Sequence, residues 1–168
     1  MAKKSTVIGH ATLAKNISNF YEGFLREVNI DMKKSEIILK KRITKNISNT
    51  AYSLKELAWM GHPYSRSDPK SIHRPKYTVH KQSGNMVDNI LSGTEGASVK
   101  TGKLKASAFA GINDSVEYAK YVIYGTSKMV PRDFLTGSLR QEKKNLKEIL
   151  KRSLHEVTVN FHGKKVKL

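Results

Sequence analysis

The chain has 168 residues, no cysteine and a net charge of +17, from 31 Lys and Arg against 14 Asp and Glu. That length suits one domain with its own core, and the lack of cysteine removes disulfides, thiolate nucleophiles and thiolate zinc sites. Apolar residues are only 38% of the total, no apolar run approaches the ~20 residues a bilayer-spanning helix needs, and MAKKSTVIGHATLAKN lacks a signal peptide's apolar block, so a cytoplasmic protein without a membrane partner is expected.

The first sixty residues carry helical periodicity. Leu13, Ile17, Phe20, Tyr21, Phe24, Leu25 and Val28 recur at spacings of three and four, as do Leu39, Ile43, Ile47, Ala51, Leu54 and Ala58. Asn29-Ile30-Asp31 lies between the two series and offers Asp31 as a cap. With no Pro or Gly between Phe24 and Met60, the sequence leaves open either one continuous helix or two broken near residue 30. A stripe so narrow needs a sheet or another subunit against it.

Residues 61–82, GHPYSRSDPKSIHRPKYTVHKQ, hold three of the four prolines and predict an extended loop or arm. Ser83 is then a candidate cap for a short helix presenting Met86, Ile90 and Leu91. SGTEGASVKTGK from residue 92 predicts a hairpin. In KASAFAGIN, Ala106, Ala108, Ala110 and Ile112 alternate with Lys105, Ser107 and Phe109, the period of a strand. Asn113-Asp114-Ser115 turns the chain back.

Residues 117–134, EYAKYVIYGTSKMVPRDF, are ambiguous between strand and short helix, and Gly125 ends either. After Pro131, Leu135, Leu139, Leu146, Ile149, Leu150 and Leu154 predict a helix with a leucine stripe, supported by the Glu148–Arg152 spacing. EVTVNFH at 156–162 alternates and predicts a final strand, followed at 163–168 by a flexible basic tail. The sum is one domain over 1–168 with a long N-terminal helix, a hairpin, a C-terminal helix and a final strand.

Catalytic motifs are missing. The six histidines do not form an H-x-x-x-H pair beside a carboxylate, Gly125-Thr126-Ser127 lacks the second glycine of a nucleophile elbow, and GTEGASVKTGK has the wrong order for a phosphate-binding loop. No close carboxylate pair suggests acid–base work or a metal cage. A non-enzymatic protein with no cofactor and no metal is expected. Its charge is spread out, eleven basic against five acidic side chains before residue 61 and twenty against nine after, and such a field favours anionic partners, nucleic acid first. In the loop, Tyr64, Arg66, Arg74, Lys76, Tyr77 and Lys81 interleave aromatic and basic side chains. They suit either base stacking with phosphate neutralisation or an arm lying on a neighbouring subunit.

The order Tyr118-Ala119-x-Tyr121-Val122-x-Tyr124-Gly125-Thr126-Ser127-Lys128-Met129, then Pro131-Arg132-x-Phe134-Leu135, resembles the signature of the tail-completion or minor tail-component proteins of tailed bacteriophages. Upstream, Ser83-Gly84-Asn85-Met86-x-x-x-Ile90 is similar to the Thr/Ser-Gly-x-Leu segment that precedes the sheet in those proteins. The likeness spans residues 60–155, and it departs where members often carry Pro-Ala-Arg-Pro-Phe and this chain has Val130-Pro131-Arg132-Asp133-Phe134. It implies an α+β fold, with the long N-terminal helix packed on a small, mainly antiparallel sheet, and a structural virion protein acting in tail completion or head–tail joining at the neck, present in the host cytoplasm during assembly. The implied partners are a homo-oligomeric ring, commonly of six or twelve copies, the connector or stopper, and tail-tube or tail-terminator proteins. Contact of basic side chains with passing DNA is left open. On this reading Tyr118, Tyr121, Ile123, Tyr124, Gly125, Thr126, Met129 and Arg132 form the subunit or partner interface. Alternate side chains such as Val122, Tyr124 and Phe134 are expected to reach the core. The alternative is a small basic nucleic-acid-binding protein.

Overall fold

The structure, a computed structural model, describes residues 7–48, 77–81, 83–100 and 103–163. In chain order they form α1 (Val7–Ile47), α2 (Asn85–Asp88), β1 (Ile90–Lys100), β2 (Lys103–Ile112), α3 (Ala119–Tyr124) and α4 (Phe134–Gly163). This is a mixed α+β fold: a long N-terminal helix, a two-stranded antiparallel sheet and a C-terminal helix. α1 packs against both strands and against α4.

α1 runs unbroken for 41 residues, about 60 Å at 1.5 Å per residue. Asp31 does not cap a second helix. It lies inside α1 with its side chain buried. Its neighbour Asn29 has a tertiary task, accepting the backbone N–H of Ala97 in β1 at 2.6 Å. Two polar residues that favour helix ends are thus held mid-helix by what packs against them.

β1 and β2 pair from Ile90↔Ile112 to Lys100↔Lys103, with the register shifting between Glu95 and Ser98. The alternation read in β2 holds: Ala106, Ala108, Ala110 and Ile112 are half-buried toward the helices, while Lys105, Ser107 and Phe109 are exposed. β1 begins earlier than expected, so Ile90 and Leu91 are strand residues and only Met86 belongs to the short helix α2. Gly84, not Ser83, holds the N-cap position of α2, at φ 86°. A Cβ on Gly93 would lie 2.7 Å from the Phe109 ring across the ladder, so the glycine makes room for that ring.

The final strand expected at 156–162 is instead helix, because α4 continues to Gly163. The alternation of Val157, Val159 and Phe161 is short, and a helix already running, with no Pro or Gly between Gly137 and Gly163, extends through it. The tail at 164–168 lies outside the described residues. α4 starts where Asp133 caps it: Oδ1 accepts the backbone N–H of Thr136 at 2.9 Å, satisfying one of the free donors of the first turn.

The core gathers Ile43, Ile47, Val79, Met86, Ile90, Val116, Ala119 and Phe134, with Val122, Ile123, Met129 and Leu135 packed against it. Around Arg42 and Asn46 the seam between α1 and α4 is polar. Arg42 Nε donates to Glu142 Oε1 at 2.5 Å and its Nη2 faces the same oxygen. Asn46 Nδ2 donates to Ser138 Oγ at 2.8 Å and to Gln141 Oε1 at 3.0 Å, while Ser138 Oγ donates to the Phe134 carbonyl. Of the expected stripe, Leu135, Leu146 and Ile149 are half-buried, while Leu139, Leu150 and Leu154 are largely exposed. Burial would raise the Glu142 pKa, but hydrogen bonds from Asn145 and Arg42 and the charges of Arg42 and Lys45 together hold it below its ordinary value.

Candidate functional site

The tyrosine-rich stretch folds as helix, resolving the ambiguity in its periodicity. Val116 accepts the Ala119 N–H, Tyr118 accepts those of Tyr121 and Val122, and α3 runs to Tyr124. Ala119 is buried, and Val122 and Ile123 pack on the core. Tyr118, Tyr121 and Tyr124 are spaced by three and all exposed, Tyr124 at 79%. Residues three apart lie on neighbouring positions of one helix face, so the three rings form one surface. The Lys120 ammonium lies 5.1 Å from the centre of the Tyr121 ring, within cation–π range.

Gly125 ends α3 at φ 74°, in the left-handed region. A Cβ there would come within 2.7 Å of the Met129 carbonyl oxygen and 2.8 Å of the Pro131 nitrogen. Thr126 and Met129 exchange backbone hydrogen bonds at 3.0 and 3.3 Å. The Thr126 hydroxyl accepts the N–H groups of Lys128 and Met129. The Gly-Thr-Ser-Lys turn is therefore fixed by backbone geometry and presents Ser127 and Lys128 to solvent.

Three residues assigned to this surface sit elsewhere. Arg132 is 1% exposed, and its backbone N–H donates to the Val122 carbonyl at 2.7 Å. The chain closes over it between α3 and the Asp133 cap, so it faces inward. Met129 packs against the core cluster and belongs to the support of the turn; Ile123 does the same from inside α3. Tyr124 does not reach the core, whereas Phe134 is fully buried.

Tyr64, Arg66, Arg74 and Lys76 of the candidate arm lie outside the described residues. Tyr77 is held by its own chain: its ring lies against Gly137 of α4, and its hydroxyl faces Arg140 Nη1 at 3.5 Å. Val79 donates to the Asn46 carbonyl at 2.7 Å and is buried. Lys81 is exposed.

Two further surfaces emerge from the packing. Leu13, Ile17 and Tyr21, spaced by four on the first half of α1, are exposed, whereas Phe24, Asn29 and Arg42 further along the helix meet the hairpin or α4. Their spacing was visible in the sequence, but not which part of the stripe would be left uncovered. On α4, Arg140, Lys144, Lys147 and Lys151 are exposed and their spacing of four, three and four makes one basic stripe.

Among the described residues, no group of three or more His, Asp or Glu side chains could hold a metal ion, and no helix is long and apolar enough to cross a membrane. No protein-family model, curated protein or solved structure matches the chain.

Proposed function

We propose that this is a structural virion protein of a tailed phage or prophage, acting in tail completion or head–tail joining at the neck, and that it is not an enzyme. The observation that carries the reading is the exposed Tyr118–Tyr121–Tyr124 face, set beside a glycine-dependent turn within the residues that resemble the phage signature. Tyrosines give large, amphipathic contact area at low entropic cost, and they are enriched at protein interfaces.

The uncovered Leu13–Ile17–Tyr21 stripe supplies a second, chemically different patch. When one patch meets another on the next copy, the contact is heterologous, and it closes into a ring if the rotation fits. Six or twelve copies at the neck, docked to connector and tail proteins, are the proposed assembly. Native mass spectrometry and electron microscopy of purified virions test this: ring stoichiometry at the neck is expected, and complete, infectious particles lacking the protein overturn it.

A second reading is favoured by the Arg140–Lys144–Lys147–Lys151 stripe, which suits a nucleic-acid backbone. It predicts affinity that falls steeply between 50 and 200 mM salt and that drops when the four residues are neutralised together. Affinity equal to that of an unstructured polycation of the same charge removes it.

A further inference from the structure

A cleft of about 260 Å³ opens between α1, β2 and α4, away from the tyrosine face. Its walls are mostly apolar: Phe24, Val28 and Met32 from α1, Leu104 and Ala106 from β2, and Leu150 and Leu154 from α4. Three polar side chains also line it, Glu27, Asp31 and Ser153.

Asp31 is 1% exposed, and its Oδ2 is buried without a hydrogen-bond partner. The other oxygen meets Lys34 Nζ at 3.5 Å, the outer limit of a hydrogen bond, and the Lys34 side chain is 56% exposed. A buried carboxylate is costly unless a cation or donor satisfies it. Lys34 reaches one oxygen from the surface and leaves the second, so Asp31 has an unused acceptor in a cleft otherwise built to hold hydrocarbon.

That combination defines a ligand chemistry. A primary ammonium on an aliphatic stem has three N–H donors and no acceptor. Its stem suits the leucines, Phe24 and Met32; its head suits Asp31, Glu27 and the Ser153 hydroxyl. A guanidinium is planar and demands a fork of acceptors, and an anion would face two carboxylates.

We propose that this cleft is a binding site for an aliphatic ammonium group, occupied by a lysine side chain of a partner polypeptide. The proposal does not depend on the tyrosine face or on a ring, since it uses a different surface and a different interaction.

The test is titration of the full chain with hexylammonium, hexanol and hexanoate, followed by amide NMR and by thermal melting. Hexylammonium should shift cleft resonances saturably, Leu104, Ala106 and Leu154 among them, and raise the melting temperature; hexanol and hexanoate should bind at least tenfold more weakly. Asp31→Asn should keep the fold by circular dichroism and weaken hexylammonium at least tenfold. Ala106→Phe, which fills the cleft and leaves Asp31 in the sequence, should abolish binding. Should either variant fail to fold, the comparison of the three ligands on the unaltered chain still decides. Nα-acetyl-lysine methylamide should compete with hexylammonium. Equal binding of hexanol, no saturable shift, or unchanged affinity in folded Asp31→Asn overturns the site. Binding of hexylammonium without competition by the lysine derivative overturns the lysine as occupant.

Discussion

The ring of Tyr77 occupies the space above Gly137, where a Cβ would sit 2.3 Å from its Cγ and Cδ1. This contact fastens the segment entering the core to the first turns of α4, alongside the Val79–Asn46 backbone hydrogen bond. Gly137→Ala should therefore be destabilising by about 1–3 kcal/mol, the usual range for overpacking, although alanine is the better helix former by about 1 kcal/mol. In a Tyr77→Ala background the same change should become stabilising. A double-mutant cycle by urea denaturation measures the reversal of sign; additive effects would mean that the ring does not press on the helix.

Arg42 and Glu142 predict a pH dependence. Because the folded-state pKa of Glu142 is lowered, the stability it contributes is fully present above the unfolded value of about 4.3 and is lost as pH falls through the folded value. Melting temperature should drop below about pH 4.3, and Glu142→Gln should flatten that part of the profile while lowering stability at neutral pH. Removing one partner leaves Arg42 facing a weaker acceptor in a largely buried seam, a loss of roughly 1–3 kcal/mol.

Gly125→Ala should cost about 1–3 kcal/mol, since the backbone is in the left-handed region and the new methyl meets backbone atoms of Met129 and Pro131 that cannot swing away. Its effect should appear both in urea midpoints and in altered amide resonances across 125–131. Unchanged spectra would mean that the turn tolerates a side chain.

Tyr124 and Phe134 should separate assembly from folding. Tyr124→Ala removes a ring that is 79% exposed and should shift stability by less than about 0.5 kcal/mol. It should nonetheless reduce incorporation into virions under the proposed function. Phe134→Ala empties a fully buried site and should cost about 3–5 kcal/mol. Met129→Asp, which places a charge against the core, should also unfold the chain instead of acting on assembly alone.

Much of the secondary structure is written locally. The three-and-four spacing of Leu13 to Val28 makes α1, the Ala106–Ile112 alternation makes β2, Asn113 makes the turn, and Gly125 ends α3 because few other residues accept its backbone. What local pattern could not decide was pairing. Whether Asn29 and Asp31 would break α1 depended on Ala97 and on the cleft beside them; whether the leucines of α4 or its Ser138 and Glu142 would face inward depended on Arg42 and Asn46, nearly a hundred residues away. Val157 to Phe161 read as strand from alternation, yet the helix continues through them. Arg132 looked like a surface charge until the fold closed around it. Periodicity reports the geometry a segment favours by itself; which face is covered, and by what, is settled only when distant residues compete for the same buried space.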